Sequence, residues 1–187
     1  MATDGGTDKD VKSRIGKASY AFNNLTNVWK SKRITTKTKL RLFNSNVKAV
    51  LLYGAETWKA SKCLVSKLQV FINKCLRRIF KDTLARKNLE HRTMEKTNQE
   101  PVEVTIKRRT WRWIGHTLRK PKGDLAQQAL QWNPQGTRKR GRPKETWRRS
   151  IYKNLDQAGL SWNNIETQAK NRTRWRSTVE ALCSNRS

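Results

Sequence analysis

The stretch VKSRIGKASYAFNNLTNVW, Val11 to Trp29, carries apolar residues at Val11, Ile15, Ala18, Phe22, Leu25 and Trp29. The steps between them alternate four and three, which is the period of a helix with one face turned towards a partner. An isolated helix of this kind is marginal in water, so the seam calls for more helices. A polar break from Ser31 to Thr36 follows, where Thr35 or Thr36 is a credible N-cap. A second helix then shows Leu40, Phe43, Val47, Val50, Gly54 and Trp58 on one side. Its segment VLLYGAETW, residues 50–58, is the most apolar of the chain and the expected centre of the core. Gly54 is unfavourable inside a helix, so it is read as a close helix crossing rather than a turn. A third helix turns Leu64, Leu68, Phe71, Cys75 and Ile79 inward and Lys67, Lys74, Arg77 and Arg78 outward. Residues 8–81 are therefore expected to form an antiparallel three-helix bundle around Phe22, Trp29, Phe43, Leu51, Trp58, Leu68 and Phe71.

The rest of the chain also reads as helix. A polar connection from Asp82 to Lys87 leads to a short helix from Leu89 to Lys96, which stops near Asn98. Pro101 suits the first turn of the next helix, which runs to about Lys120 and ends at Pro121 and Gly123. Asp124 can cap a short helix reaching Leu130. Residues 133–143 hold Pro134, Gly136, Gly141 and Pro143 among cations and read as a linker. A helix after Pro143 shows Trp147, Ile151, Leu155 and Ala158 on one side and closes at Gly159. A turn capped by Ser161, with Trp162 and Ile165, precedes a last helix that buries Trp175, Val179 and Leu182. The expected fold class is all-α: a helical bundle followed by a basic helical C-terminal region. The expected division is a disordered N-terminus over 1–7, the bundle over 8–81, a basic helical region over 82–132, a basic linker over 133–143 and C-terminal helices over 144–187.

Charge narrows the function. The 187 residues contain 42 Lys+Arg against 14 Asp+Glu, a formal charge of +28. A charge this far from zero makes polyanions the expected partners. The carboxylates are scattered and no two stand side by side. Polymerases and nucleases gather carboxylates around divalent metals, so the chain looks equipped to grip phosphate and poorly equipped to do chemistry on it. Cys63, Cys75 and Cys183 match no zinc spacing, and His91 and His116 do not complete one. Unpaired thiols suit a reducing compartment. No apolar run approaches the length of a membrane span. No metal, cofactor, catalytic residue, small-molecule substrate or membrane association is expected, and the expected location is intracellular and nuclear.

Two segments carry the candidate binding residues. In NQEPVEVTIKRRTWRWIGHTLRKP, residues 98–121, Trp111, Ile114 and Leu118 share a helical row, while Lys107, Arg108, Arg109, Arg112, Arg119 and Lys120 surround it. The functional reading is a helix docked on nucleic acid in helix-turn-helix manner; the competing reading is an amphipathic helix whose tryptophans are core, and Trp111 fits the core better. Trp113, on another face, is the candidate for stacking on a base. His116 has no acid or nucleophile at useful spacing and reads as a packing or phosphate-contacting residue. In TRKRGRPKETWRR, residues 137–149, seven cations accompany one acid. Its centre, Arg138, Lys139, Arg140, Gly141, Arg142, Pro143 and Lys144, resembles an AT-hook, in which two arginines enter a narrow minor groove. A basic linker that merely opens the next helix is the plainer alternative. Arg148 and Arg149 extend the same cationic run.

The motifs GGTDKDVKSRIGKASYAFNNL, VLLYGAETW, NQEPVEVTIKRRTWRWIGHTLRKP, GRPKETWRR and TRWRSTVEALC occur in this order between residues 5 and 183. Their order resembles the C-terminal region of the endonuclease–reverse transcriptases of RTE-like non-LTR retrotransposons. The resemblance implies that residues 8–80 correspond to a polymerase thumb. Its exposed cations Lys12, Arg14, Lys17, Lys37, Lys39, Arg41 and Lys48 would follow phosphates without reading bases. It also implies that the remainder corresponds to the C-terminal tail. The family's endonuclease and its paired-aspartate polymerase motif find no match in these residues. The expectation is a catalytically silent fragment that holds template RNA or target DNA. The alternative is a host-retained helical module that binds another protein, its charge incidental.

Overall fold

A computed structural model describes residues 7–80, 99–121, 123–131 and 146–184. Among them every regular element is helical, as the period of the sequence requires. By its internal contacts the chain forms two compact units, Met1–Ala55 with Ala60–Thr105, and Glu56–Lys59 with Ile106–Ser187.

In the first unit, α1 (Thr7–Asn24) buries Val11, Ala18 and Phe22. The expected single helix to Trp29 breaks at Leu25, and α2 (Thr26–Lys30) continues separately. The Phe22 carbonyl shows how the break is held. It accepts from the Leu25 N–H at 3.2 Å and from the Trp29 indole Nε1 at 2.7 Å. The Trp29 ring thereby stacks on Phe22, with centroids 5.1 Å apart, while Phe43 meets Phe22 edge-on. Leu25 itself is only half-buried.

Thr35 caps α3 (Thr36–Leu42), its hydroxyl accepting from the Thr38 N–H at 3.2 Å. Lys39 does not join the exposed cations. It is 6% exposed, and its Nζ donates to the carbonyls of Trp29 at 2.8 Å and Ser31 at 2.6 Å. A lysine thus satisfies the carbonyls left open where α2 ends. Lys48 is half-buried, with Nζ 3.3 Å from Gln99 Oε1, and Arg14 pairs with Asp10 and covers the Tyr53 ring. Lys12, Lys17, Lys37 and Arg41 remain exposed.

The expected second helix is not regular. After α3 the backbone widens into a π-helical segment, Phe43–Lys48, and returns to α in α4 (Ala49–Leu51). Four residues overshoot an α turn of about 3.6 and undershoot the wider π turn. Two steps of four, one through each, keep Phe43, Val47 and Leu51 on a single line, all fully buried. Gly54 is then a turn and not a crossing: its φ is +75°, and a Cβ added there would meet nothing within 4 Å. A positive φ is readily available to glycine alone. A 3₁₀ turn, Ala55–Thr57, carries the chain on to Trp58, which is buried but groups with the second unit rather than with the bundle.

The helix α5 (Lys62–Phe80) buries Leu64, Leu68, Ile72, Asn73, Cys75, Leu76 and Ile79, leaves Phe71 half-buried and exposes Lys67, Lys74 and Arg78. Its Gln69 donates to Asn73 Oδ1 and accepts from the Val102 N–H at 2.9 Å, so α5 supplies the first cap of the helix that follows. Burial pushes the Cys75 thiol up to about 12, against the opposing pull of Arg78 and Lys74, which marks it as a packing group and not a nucleophile. The connection expected at Asp82 to Lys87, the helix from Leu89 to Lys96, His91 and the linker over 133–143 all lie outside the described residues.

In the second unit, α6 (Val102–Leu118), which begins in the first, brings Ile106, Trp111 and Ile114 into the core. Asp124 caps α7 (Leu125–Gln131) as expected, accepting from the Ala126 N–H at 2.8 Å. That bond, with Lys120 alongside, holds its carboxyl below the usual range. Thr146 caps α8 (Trp147–Gln157), which ends at Gly159 with φ +64°. Ser161 caps α9 (Trp162–Lys170), and Asn171 caps α10 (Arg172–Ser184), accepting from the N–H groups of Thr173 and Arg174. The region expected as one last helix after a turn is therefore two, packed against each other.

Candidate nucleic-acid interface

The second unit positions its cations through one tight helix contact. Gly115 of α6 faces Trp175 of α10 so closely that a Cβ there would lie 1.9 Å from the indole Nε1. The same indole donates to the Trp111 carbonyl at 3.2 Å, and the two rings meet edge to face at 6.3 Å. Trp111 is fully buried, so its role is core packing. Arg108 and Arg112 reach Glu180, whereas Arg119 donates to the carbonyl of Ala169, just before α10 begins. The two helices therefore run antiparallel.

Between them opens a cleft of about 650 Å³ lined by Arg112, His116 and Arg119 on one side. Arg172, Trp175, Arg176, Val179 and Glu180 line the other. Residues 112, 116 and 119 share one face of α6, and 172, 176 and 180 share one face of α10. Four guanidinium groups thus look onto a space that holds one carboxylate. Arg119 is half-buried, and its pKa is pulled down first by desolvation and then by the nearby Arg172 charge. Such a trough can bind phosphate through charge-assisted hydrogen bonds. It presents no exposed aromatic face, because Trp175 is buried.

The expected residues fall into three groups. Arg112 and Arg119 line the cleft. Arg108 is committed to an internal fork, its Nε and Nη2 gripping Glu180 at 3.2 and 2.9 Å, and Lys120 pairs with Asp124 at 3.2 Å. Arg109 is half-buried. Trp113 is half-buried with its ring edge-to-face against Trp147 at 6.0 Å, an arrangement that occupies part of the surface a base would need. Trp147 in turn donates its indole N–H to the Glu56 carbonyl at 2.9 Å. Arg148 lies over the Tyr152 ring at 5.8 Å, and Arg149 is exposed. Arg138, Lys139, Arg140, Arg142 and Lys144 lie outside the described residues. Sequence reasoning missed Arg172 and Arg176. The available signal was their four-residue spacing at the start of a helix whose first turn has no acidic residue.

Among the described residues no three His, Cys, Asp or Glu side chains come together as metal ligands, and no helix is long and apolar enough to cross a membrane. Residues 21–53 match the family described as a domain of unknown function, DUF6451. An uncharacterized transposon-derived protein of Caenorhabditis elegans is 27% identical over 186 residues, covering 94% of this chain and 66% of the relative. The chain thus spans just under two thirds of that relative's length, and the similarity points to a transposon origin. No solved structure matches the chain.

Proposed function

We propose that this chain is the thumb and C-terminal tail of an RTE-like non-LTR retrotransposon reverse transcriptase, silent in catalysis by itself and holding template RNA or target DNA by their phosphates. The observation that carries the proposal is the cleft of Arg112, Arg119, Arg172 and Arg176, set in a chain of charge +28. The similarity to a transposon-derived protein supports the same origin. Phosphate contact fixes position and carries no sequence information by itself, so the expected binding is broad in sequence. A nuclear location is part of the same proposal.

Binding to labelled duplex and single strands across a range of sodium chloride tests the reading. The logarithm of affinity should fall linearly with the logarithm of salt, with a slope of about −0.9 per phosphate neutralised on duplex. Neutralising Arg112 and Arg176 together should flatten that slope by up to about two units. Primer extension with magnesium or manganese should stay at background. Affinity indifferent to salt would overturn the phosphate reading and favour a protein-binding module.

A further inference from the structure

The cleft between α6 and α10 is electrically lopsided. At one end Arg108 grips both oxygens of Glu180 across the two helices, and Arg112 stands 3.8 Å from the same carboxylate. At the other end Arg119, Arg172 and Arg176 share the space, while the cleft's one carboxylate, Glu180, is paired with Arg108 and Arg112. One donor of Arg119 is used by the Ala169 carbonyl, 3.0 Å away; Arg172 and Arg176 are exposed. Repulsion from Arg172 adds to the desolvation that already disfavours the charge of Arg119. Arg172 also begins α10, the end of a helix where its dipole favours anions over cations, and Arg176 stands one turn further on. Three like charges gathered this way gain most from a compact, multiply charged anion.

We infer that the Arg119, Arg172 and Arg176 end of this cleft binds the terminal phosphate of a nucleic-acid strand. The inference rests on the nucleic-acid reading and narrows its ligand. An internal stretch of backbone laid along the trough would meet at its far end the Arg108–Glu180 pair, whose donors and acceptors already satisfy each other and offer a phosphate little. A strand end need not pass it. A terminal phosphomonoester also carries about −1.5 to −2 charges near neutral pH, up to twice that of a diester, with more oxygens to accept from three guanidinium groups.

The test uses the full chain and short labelled single strands of one sequence, ending in a 5′-phosphate, a 3′-phosphate or hydroxyls at both ends. One phosphorylated form should bind about tenfold tighter than the hydroxyl-ended strand. Arg172→Ala with Arg176→Ala should weaken all three strands through the lost phosphate contacts and, beyond that, erase the advantage, leaving the phosphorylated and hydroxyl-ended strands equal in the variant. Both side chains are exposed, so the double variant should melt like the parent. Equal affinity for all three strands overturns the terminal-phosphate site and leaves the nucleic-acid reading standing. An advantage that survives in the double variant also overturns the site, because the phosphate is then held elsewhere. If no strand binds even at low salt, both readings fall.

Discussion

Gly115→Ala is expected to destabilise the second unit by about 2–3 kcal/mol, the range of an overpacked core. The added methyl would stand 1.9 Å from Trp175 Nε1 and 2.3 Å from its Cε2. Trp175 has little room to yield: it is 4% exposed, and it both donates to the Trp111 carbonyl and packs its ring against Trp111. An opposing effect exists, since alanine is better than glycine inside a helix by about 1 kcal/mol. The clash should win, because moving the indole breaks a buried hydrogen bond as well as contacts. Denaturant unfolding measures the sum. Trp175→Leu in the Gly115→Ala background should lose less than the two single changes added together, the sign of a shared contact. Stabilisation by Gly115→Ala alone would show that the two helices do not meet this closely.

Trp58→Ala should cost still more, about 3–5 kcal/mol, as truncation of a large buried aromatic does. The side chain is buried, and its segment is pinned by two bonds to the Glu56 carbonyl, from Trp147 Nε1 at 2.9 Å and from Thr110 Oγ1 at 3.3 Å. Total stabilities of about 5–15 kcal/mol make this a large fraction of what holds the protein folded. In a chain of this size the melting temperature should drop by roughly 10 °C or more. Tyr20, 71% exposed, is the control, and its change to alanine should stay within about 0.5 kcal/mol. Comparable losses at the two positions would mean that Trp58 is not a core residue.

Helical identity was legible because apolar spacing reports a helix face directly, and so were the caps, because Thr35, Asp124 and Ser161 have side chains suited to the first open N–H groups. Interruptions were less legible. The break at Leu25 depends on an indole reaching back seven residues to the Phe22 carbonyl, a bond made possible only once Phe22 and Trp29 stack. Lys39 reads in sequence as one more exposed cation because nothing nearby shows that the end of α2 needs a donor.

The candidate site divides in the same way. Arg112 and Arg119 were legible from a cationic helix face. Arg172 and Arg176 matter because α10 returns antiparallel to α6, and about sixty residues separate the two rows in the chain. Arg108 belongs to the same row in sequence, yet Glu180 takes it out of the cleft. Partnership across helices is a property of packing, and a one-dimensional pattern of charges does not contain it.

The widened turn at Phe43–Lys48 holds one more residue than an ordinary helical turn would. A relative that lacks a single residue there can close the turn to α and keep the phase of everything downstream. Residues 21–53, which match a family of unknown function, span that turn. When divergent relatives are aligned across it, a one-residue gap belongs inside 43–48. Placed at 49–51 instead, the same gap would carry Leu51 or Leu52 out of phase with Phe43 and Val47 and pair core positions with surface ones.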